Sequence, residues 1–96
     1  MAMTRTMRKR IRSLTRKQLL AYVFLSAEDL ASEQSLSKMN AFEIGNIIIA
    51  WGHQGDPADF PELIRRAKDL SRGDDERFQK FYLDNTEFED VEPAEN

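Results

Sequence analysis

Apolar residues along this chain recur mostly at intervals of three and four, the period of one face of an α-helix. The densest stretch is Asn40 to Gly52, NAFEIGNIIIAWG, where Ile44, Ile47, Ile48 and Trp51 fall at i, i+3, i+4 and i+7. Asn40 suits an N-cap, and Glu43 can reach back to the cap's own N–H. Ala41, Gly45, Ile48 and Gly52 form a second line, where small residues leave room for another helix to approach. Three consecutive isoleucines also suit a buried strand, but no partner strand is evident and the caps agree with the helical period. The pattern predicts a helix over about 41–52, apolar on two sides, with Ile48 and Trp51 in the core.

The same period runs through the rest of the chain. Met3, Met7, Ile11 and Leu14 would line one face of a first helix or arm. Thr15 with Gln18 has capping-box spacing, and Leu20, Val23, Phe24, Ala27, Leu30 and Ala31 continue the rhythm, predicting a helix from about Arg16 to Glu33. Ser26 with Asp29 is a competing box, so this helix can also break near Leu25 and restart. Leu19 and Tyr22 lie off the main stripe and suggest a second buried surface. Gln34 to Met39 is a polar connection anchored by Leu36. Phe60, Leu63, Ile64, Ala67 and Leu70 form the next stripe, opened by Asp59 or Phe60 with Pro61 in the first turn and stopped at Gly73. Asp74 or Asp75 can cap a last short helix carrying Phe78, Phe81 and Tyr82. The expected fold is all-α: four or five short helices in a single domain, 1–84, packed around the helix at 41–52.

Charge changes this picture more than composition does. The chain has 96 residues, no cysteine and a net charge of -3, but residues 1–17 carry +7 and residues 74–96 carry -7. The basic head consists of Arg5, Arg8, Lys9, Arg10, Arg12, Arg16 and Lys17. The tail, 85–96, is acidic and of a composition expected to be flexible; within it Glu87, Phe88, Glu89, Asp90 and Val91 alternate acid and apolar groups as disordered interaction segments do. Such a chain can neutralise itself, pair head to tail with a copy, or offer each end to a different partner. No stretch approaches the ~20 apolar residues of a membrane span, and no secretory signal is evident, so a soluble cytoplasmic protein is expected.

Candidate chemistry is sparse. There is no Gly-rich phosphate loop, no HExxH, no GxSxG, no cluster of metal ligands and no internal repeat. His53 is the only histidine, and no nucleophile stands in a recognisable spacing with it; a helix C-terminal imidazole is the simpler reading. The acids Asp74, Asp75 and Glu76 fit a helix start. Neither an enzyme nor a cofactor is expected.

The basic head resembles arginine-rich RNA-binding peptides in composition, and Arg and Lys supply most sequence-independent nucleic-acid affinity. Leu30-Ala31, Leu36-Ser37-Lys38 and Ile44 are similar in spacing to the helix-turn-helix motif. Ser35 stands where that motif usually has glycine, and Ala41 where it has a branched apolar residue. These likenesses imply a nucleic-acid-binding transcriptional regulator using residues 1–17, Lys38 and the stretch 30–44. The first expectation is different: a small non-enzymatic regulatory or inhibitory protein, of the kind carried by phages and mobile elements, acting by contact with a protein partner. Leu19, Tyr22 and the Met3/Met7 line exceed what one small core obviously needs, which suggests a homodimer.

Overall fold

A computed structural model describes residues 2–33 and 35–87. Those residues form six α-helices, α1 (Arg5–Arg12), α2 (Arg16–Ser26), α3 (Glu28–Glu33), α4 (Ala41–Trp51), α5 (Phe60–Arg72) and α6 (Glu76–Asp84), with a 3-10 turn at Pro57–Asp59. The count exceeds the four or five expected because the long second helix divides and the basic head is itself a folded helix.

Three helices begin with reciprocal caps. Thr15 accepts from the Gln18 N–H at 3.1 Å while the Gln18 side chain accepts from the Thr15 N–H at 2.9 Å. Asn40 and Glu43 repeat the arrangement at 2.9 and 3.0 Å. The third box uses a thioether: the Thr4 hydroxyl accepts from the Met7 N–H at 3.1 Å, and Met7 Sδ accepts from the Thr4 N–H at 3.4 Å. Sulfur is a weak acceptor, so sequence rules written for Glu or Gln pass over this start.

Ala27, with φ -149° and ψ 46°, leaves helical geometry and separates α2 from α3. Ser26 does not cap α3 as its spacing with Asp29 suggested; its hydroxyl donates back to the Tyr22 carbonyl at 2.8 Å.

The middle of the bundle is α2, not the helix at 41–52. Leu19, Leu20, Ala21, Tyr22 and Val23 are consecutive and all buried, which a helix achieves only when neighbours surround it. They do so here: α2 packs against α3, α4, α5 and α6. By contrast α4 buries one face, Ile44, Gly45 and Ile48, and leaves Ile47, Ile49 and Trp51 half-buried and Phe42 exposed. Ile48 is in the core as expected; Trp51 is not fully so.

The side chains that suggested a dimer are also accounted for internally. Leu19, Tyr22, Met3 and Met7 are all buried in the single-chain core, so they offer no surface to a second copy. The small-residue line of α4 meets α1: a Cβ at Gly45 would lie 3.5 Å from Arg12 Nη1 and 3.7 Å from Ile11 Cγ2. At the other end of α4, Gly52 takes φ 85° and ψ -177°, a conformation essentially restricted to glycine. This turn drives His53 inward. The imidazole is buried, its Nε2 lies 3.0 Å from the Asp56 carbonyl, and its ring meets Phe60 edge-on. It is a packing residue of the turn. No helix among the described residues is long and apolar enough to cross a membrane.

Candidate functional site

The seven cations of the head do not act as one group. Arg16 is buried, and its guanidinium bridges two distant parts of the chain. Nε donates to the Met39 carbonyl at 2.7 Å, Nη1 to Thr86 Oγ1 at 2.7 Å, and Nη2 to the carbonyls of Leu36 and Asn85 at 3.0 and 2.8 Å. A planar fork of donors suits several carbonyls at once, which an ammonium cannot match. Arg16 therefore braces the α3–α4 loop against the residues after α6, and is withdrawn from the candidate binding set. Lys17, half-buried, lies with Nζ 5.0 Å from the centre of the Tyr82 ring, a cation–π contact within the fold.

The remaining head cations face solvent. Met7 and Ile11 hold α1 to the body, and the 3.6-residue period then turns Arg5, Arg8, Lys9, Arg10 and Arg12 outward, where all five are exposed. Arg8 Nη1 donates to the Met3 carbonyl at 2.9 Å. Arg12 reaches α4, where it donates to Asn46 Oδ1 and lies 4.6 Å from the centre of the Phe42 ring. Among the described residues every ion pair falls elsewhere: Arg65 with Glu62 and Asp69, Arg72 with Asp69, and Lys80 with Asp84. The outer face of α1 thus meets the exposed edge of α4 at Arg12, the one of these five cations set against an aromatic ring and an amide among the described residues.

Phe42 and Asn46 were not singled out by sequence. The only signal is negative: both fall off the Ile44, Ile47, Ile48, Trp51 stripe, and one large apolar residue off a stripe is common. Lys38 is exposed in the loop before α4. Glu87 is exposed, but its N–H donates to the Ser37 carbonyl at 3.1 Å, so the start of the expected flexible tail at 85–87 is tied to the body. Phe88, Glu89, Asp90 and Val91 lie outside the described residues.

The helix-turn-helix spacing is not realised as that motif. Leu30, Leu36 and Ile44 are indeed buried, but α3 ends at Glu33 and α4 begins at Ala41, farther apart than a turn of 3–4 residues allows. The exposed edge of α4 consists of Phe42, Glu43, Asn46 and Ala50 and carries no cation. Among the described residues no group of three or more metal-ligating side chains converges. Compared with known proteins, the chain matches no family model, no curated protein and no solved structure.

Proposed function

We propose that the protein is a small, non-enzymatic regulatory or inhibitory binding protein that engages an acidic protein partner through the outer face of α1 and the edge of α4. The observation that carries this reading is the row of outward cations on α1, none of them ion-paired among the described residues, flanked by exposed Phe42. An aromatic anchor beside arginines is the composition that dominates protein–protein binding energy, and cations around it steer an acidic surface into register. A transcriptional regulator reading DNA is the other reading, and the edge of α4, which carries Glu43 and no cation, speaks against it, because a carboxylate on an inserted helix is repelled by the phosphates that Lys and Arg would attract.

The test compares the intact protein with the joint Arg8, Lys9, Arg10, Arg12→Ala variant. Nuclease-treated pull-downs from the native host are expected to retain a defined protein with the intact chain and lose it with the variant. Duplex DNA titrations are expected to stay at background for both. DNA binding by the intact protein that weakens with salt at a log–log slope of roughly -0.9 per phosphate, and vanishes in the variant, would overturn the protein-partner reading.

A further inference from the structure

The residues just after α6 fix where the acidic tail starts. Arg16 holds the Asn85 carbonyl at 2.8 Å and the Thr86 hydroxyl at 2.7 Å, and the Glu87 N–H donates to the Ser37 carbonyl at 3.1 Å. The tail therefore leaves the body beside exposed Lys38, in the loop that runs into α4. A few residues along that loop stands Phe42, 63% exposed, with the Arg12 guanidinium over its ring. At 3.8 Å per residue, Phe42 lies within about 25 Å of the Glu87 amide. Arg12 ends α1, and Arg10, Lys9, Arg8 and Arg5 lead back from it along ~12 Å of helix. None of these five is ion-paired among the described residues; Arg8 and Arg12 donate to neutral oxygens of Met3 and Asn46. Other helices with exposed cations carry acids among them, Glu62 and Asp69 in α5 and Glu76 and Asp84 in α6, whereas α1 has none.

We propose that residues 88–96, which lie outside the described ones, dock on the outer face of α1 of the same chain and compete there with the partner. The segment reads FEDVEPAEN. Glu89, Asp90, Glu92 and Glu95 supply four carboxylates for the α1 cations, and Phe88 and Val91 supply apolar groups for exposed Phe42. Nine extended residues span about 30 Å, enough to run from the Ser37 anchor past Phe42 and along α1. The chain's own tail is the occupant because the anchor at 85–87 tethers it beside the face, at an effective concentration on the order of 1 mM. The competition, but not the contact, rests on the reading above: the tail stands in for the partner and sets the affinity a partner must exceed. The contact is measured on pure protein. Its absence would leave the partner reading standing, and a partner indifferent to the α1 cations would remove that reading and leave the contact.

The test sets the full chain against a full-length tail variant, Glu89→Gln, Asp90→Asn, Glu92→Gln and Glu95→Gln. At low salt the amide NMR shifts of Arg5 to Arg12, Phe42 and Asn46 should differ between the two. Salt at about 0.5 M should bring the wild type to the variant, because exposed pairs are screened. A contact within one chain is independent of concentration, so the wild-type shifts should hold from about 20 to about 500 μM. A fluorescein-labelled peptide of residues 88–96 then serves as the acidic probe. For a probe Kd on the order of 0.1 mM, a tethered competitor at ~1 mM weakens apparent binding about tenfold. The tail variant should therefore bind the probe about tenfold more tightly than the wild type, and adding Arg8, Lys9, Arg10, Arg12→Ala to it should abolish binding. A charge-matched control, Glu28→Gln, Asp29→Asn, Asp74→Asn and Glu76→Gln, should bind like the wild type. Thermal melts check that each variant is folded, and the salt series needs no substitution. Coincident α1 shifts at low salt, shifts that depend on concentration and so mark a second copy's tail as the occupant, a tail variant that binds the probe no better than the wild type, or a control that binds it as tightly as the tail variant would overturn the proposal.

Discussion

Replacing Arg16 by methionine keeps most of the buried length of the side chain and removes the donor fork. Four of its hydrogen bonds are 2.7–3.0 Å long, and three of the acceptors are backbone carbonyls, of Leu36, Met39 and Asn85. A hydrogen bond to a charged group nets about 1.5–3 kcal/mol, so four would give an unopposed gain of about 6–12 kcal/mol, comparable to the whole net stability of a small domain. Withdrawing the guanidinium from water offsets several kcal/mol of it. The remaining loss on mutation is on the order of 3 kcal/mol, part of it from carbonyls left without a donor. At about 4–8 °C per kcal/mol for a domain of this size, the melting temperature of Arg16→Met should fall by roughly 12–24 °C. Arg16→Lys keeps the charge but lacks the planar fork that reaches both acceptor segments at once, and should recover less than half of the loss. Circular dichroism melts measure both, and hydrogen exchange at the Glu87 amide reports whether the brace has opened. If Arg16→Met lies within about 0.5 kcal/mol of wild type, the range of an ordinary surface change, the brace is not structural.

Three further outcomes follow from the packing. Gly45→Ala should stabilise by up to about 1 kcal/mol, because helix propensity improves and its Cβ meets Arg12 and Ile11 at ordinary contact distance; Gly45→Leu should cost about 1–3 kcal/mol by pushing α1 away. Denaturant titrations of the pair check both signs. Ile48→Ala should cost about 2–5 kcal/mol, and Trp51→Ala less than Ile48→Ala, since the indole is only half-buried; the reverse order in urea midpoints would refute the assignment of faces. Burial pushes the Tyr22 phenol up to about 12, against an opposing pull from Ser26. The folded state keeps that proton where the unfolded chain, near 10, gives it up. Stability is therefore complete below pH 10 and falls, by on the order of 2 kcal/mol, as the pH rises from about 10 to 12. Tyr22→Phe should lack that part of the alkaline decline when unfolding free energies at pH 9 and pH 11.5 are compared.

Most of what was legible in the sequence rests on atoms that are near in sequence. The Thr15–Gln18 and Asn40–Glu43 caps, the stripe of α5 and the buried line from Met3 to Leu14 all depend on spacings of three or four residues. What the pattern could not rank was which apolar helix lies innermost. Isoleucines made the stretch at 41–52 the most apolar, yet Leu19 to Val23, mixed with a tyrosine and an alanine, is the segment enclosed from every side. Hydropathy measures what a helix could bury; the number of neighbours decides what it does. Arg16 was misread for a related reason. In sequence it belongs to a basic run, and its acceptors lie at 36–39 and 85–86, beyond any local window. Phe42 and Asn46 became part of a site only because α1 crosses α4 at Gly45.

The Arg16 brace has a kinetic meaning as well as a thermodynamic one. It joins the start of α2 to the Asn85 carbonyl and the Thr86 hydroxyl, 69 and 70 positions further on. Closing so long a loop is entropically costly and must wait until α5 and α6 have docked on α2. An interaction formed that late is expected to be absent from the folding transition state, so Arg16→Met should leave the folding rate alone and speed unfolding, as the two arms of a chevron plot would show. The arginine is thus a latch: the bundle assembles without it, and opens slowly because of it.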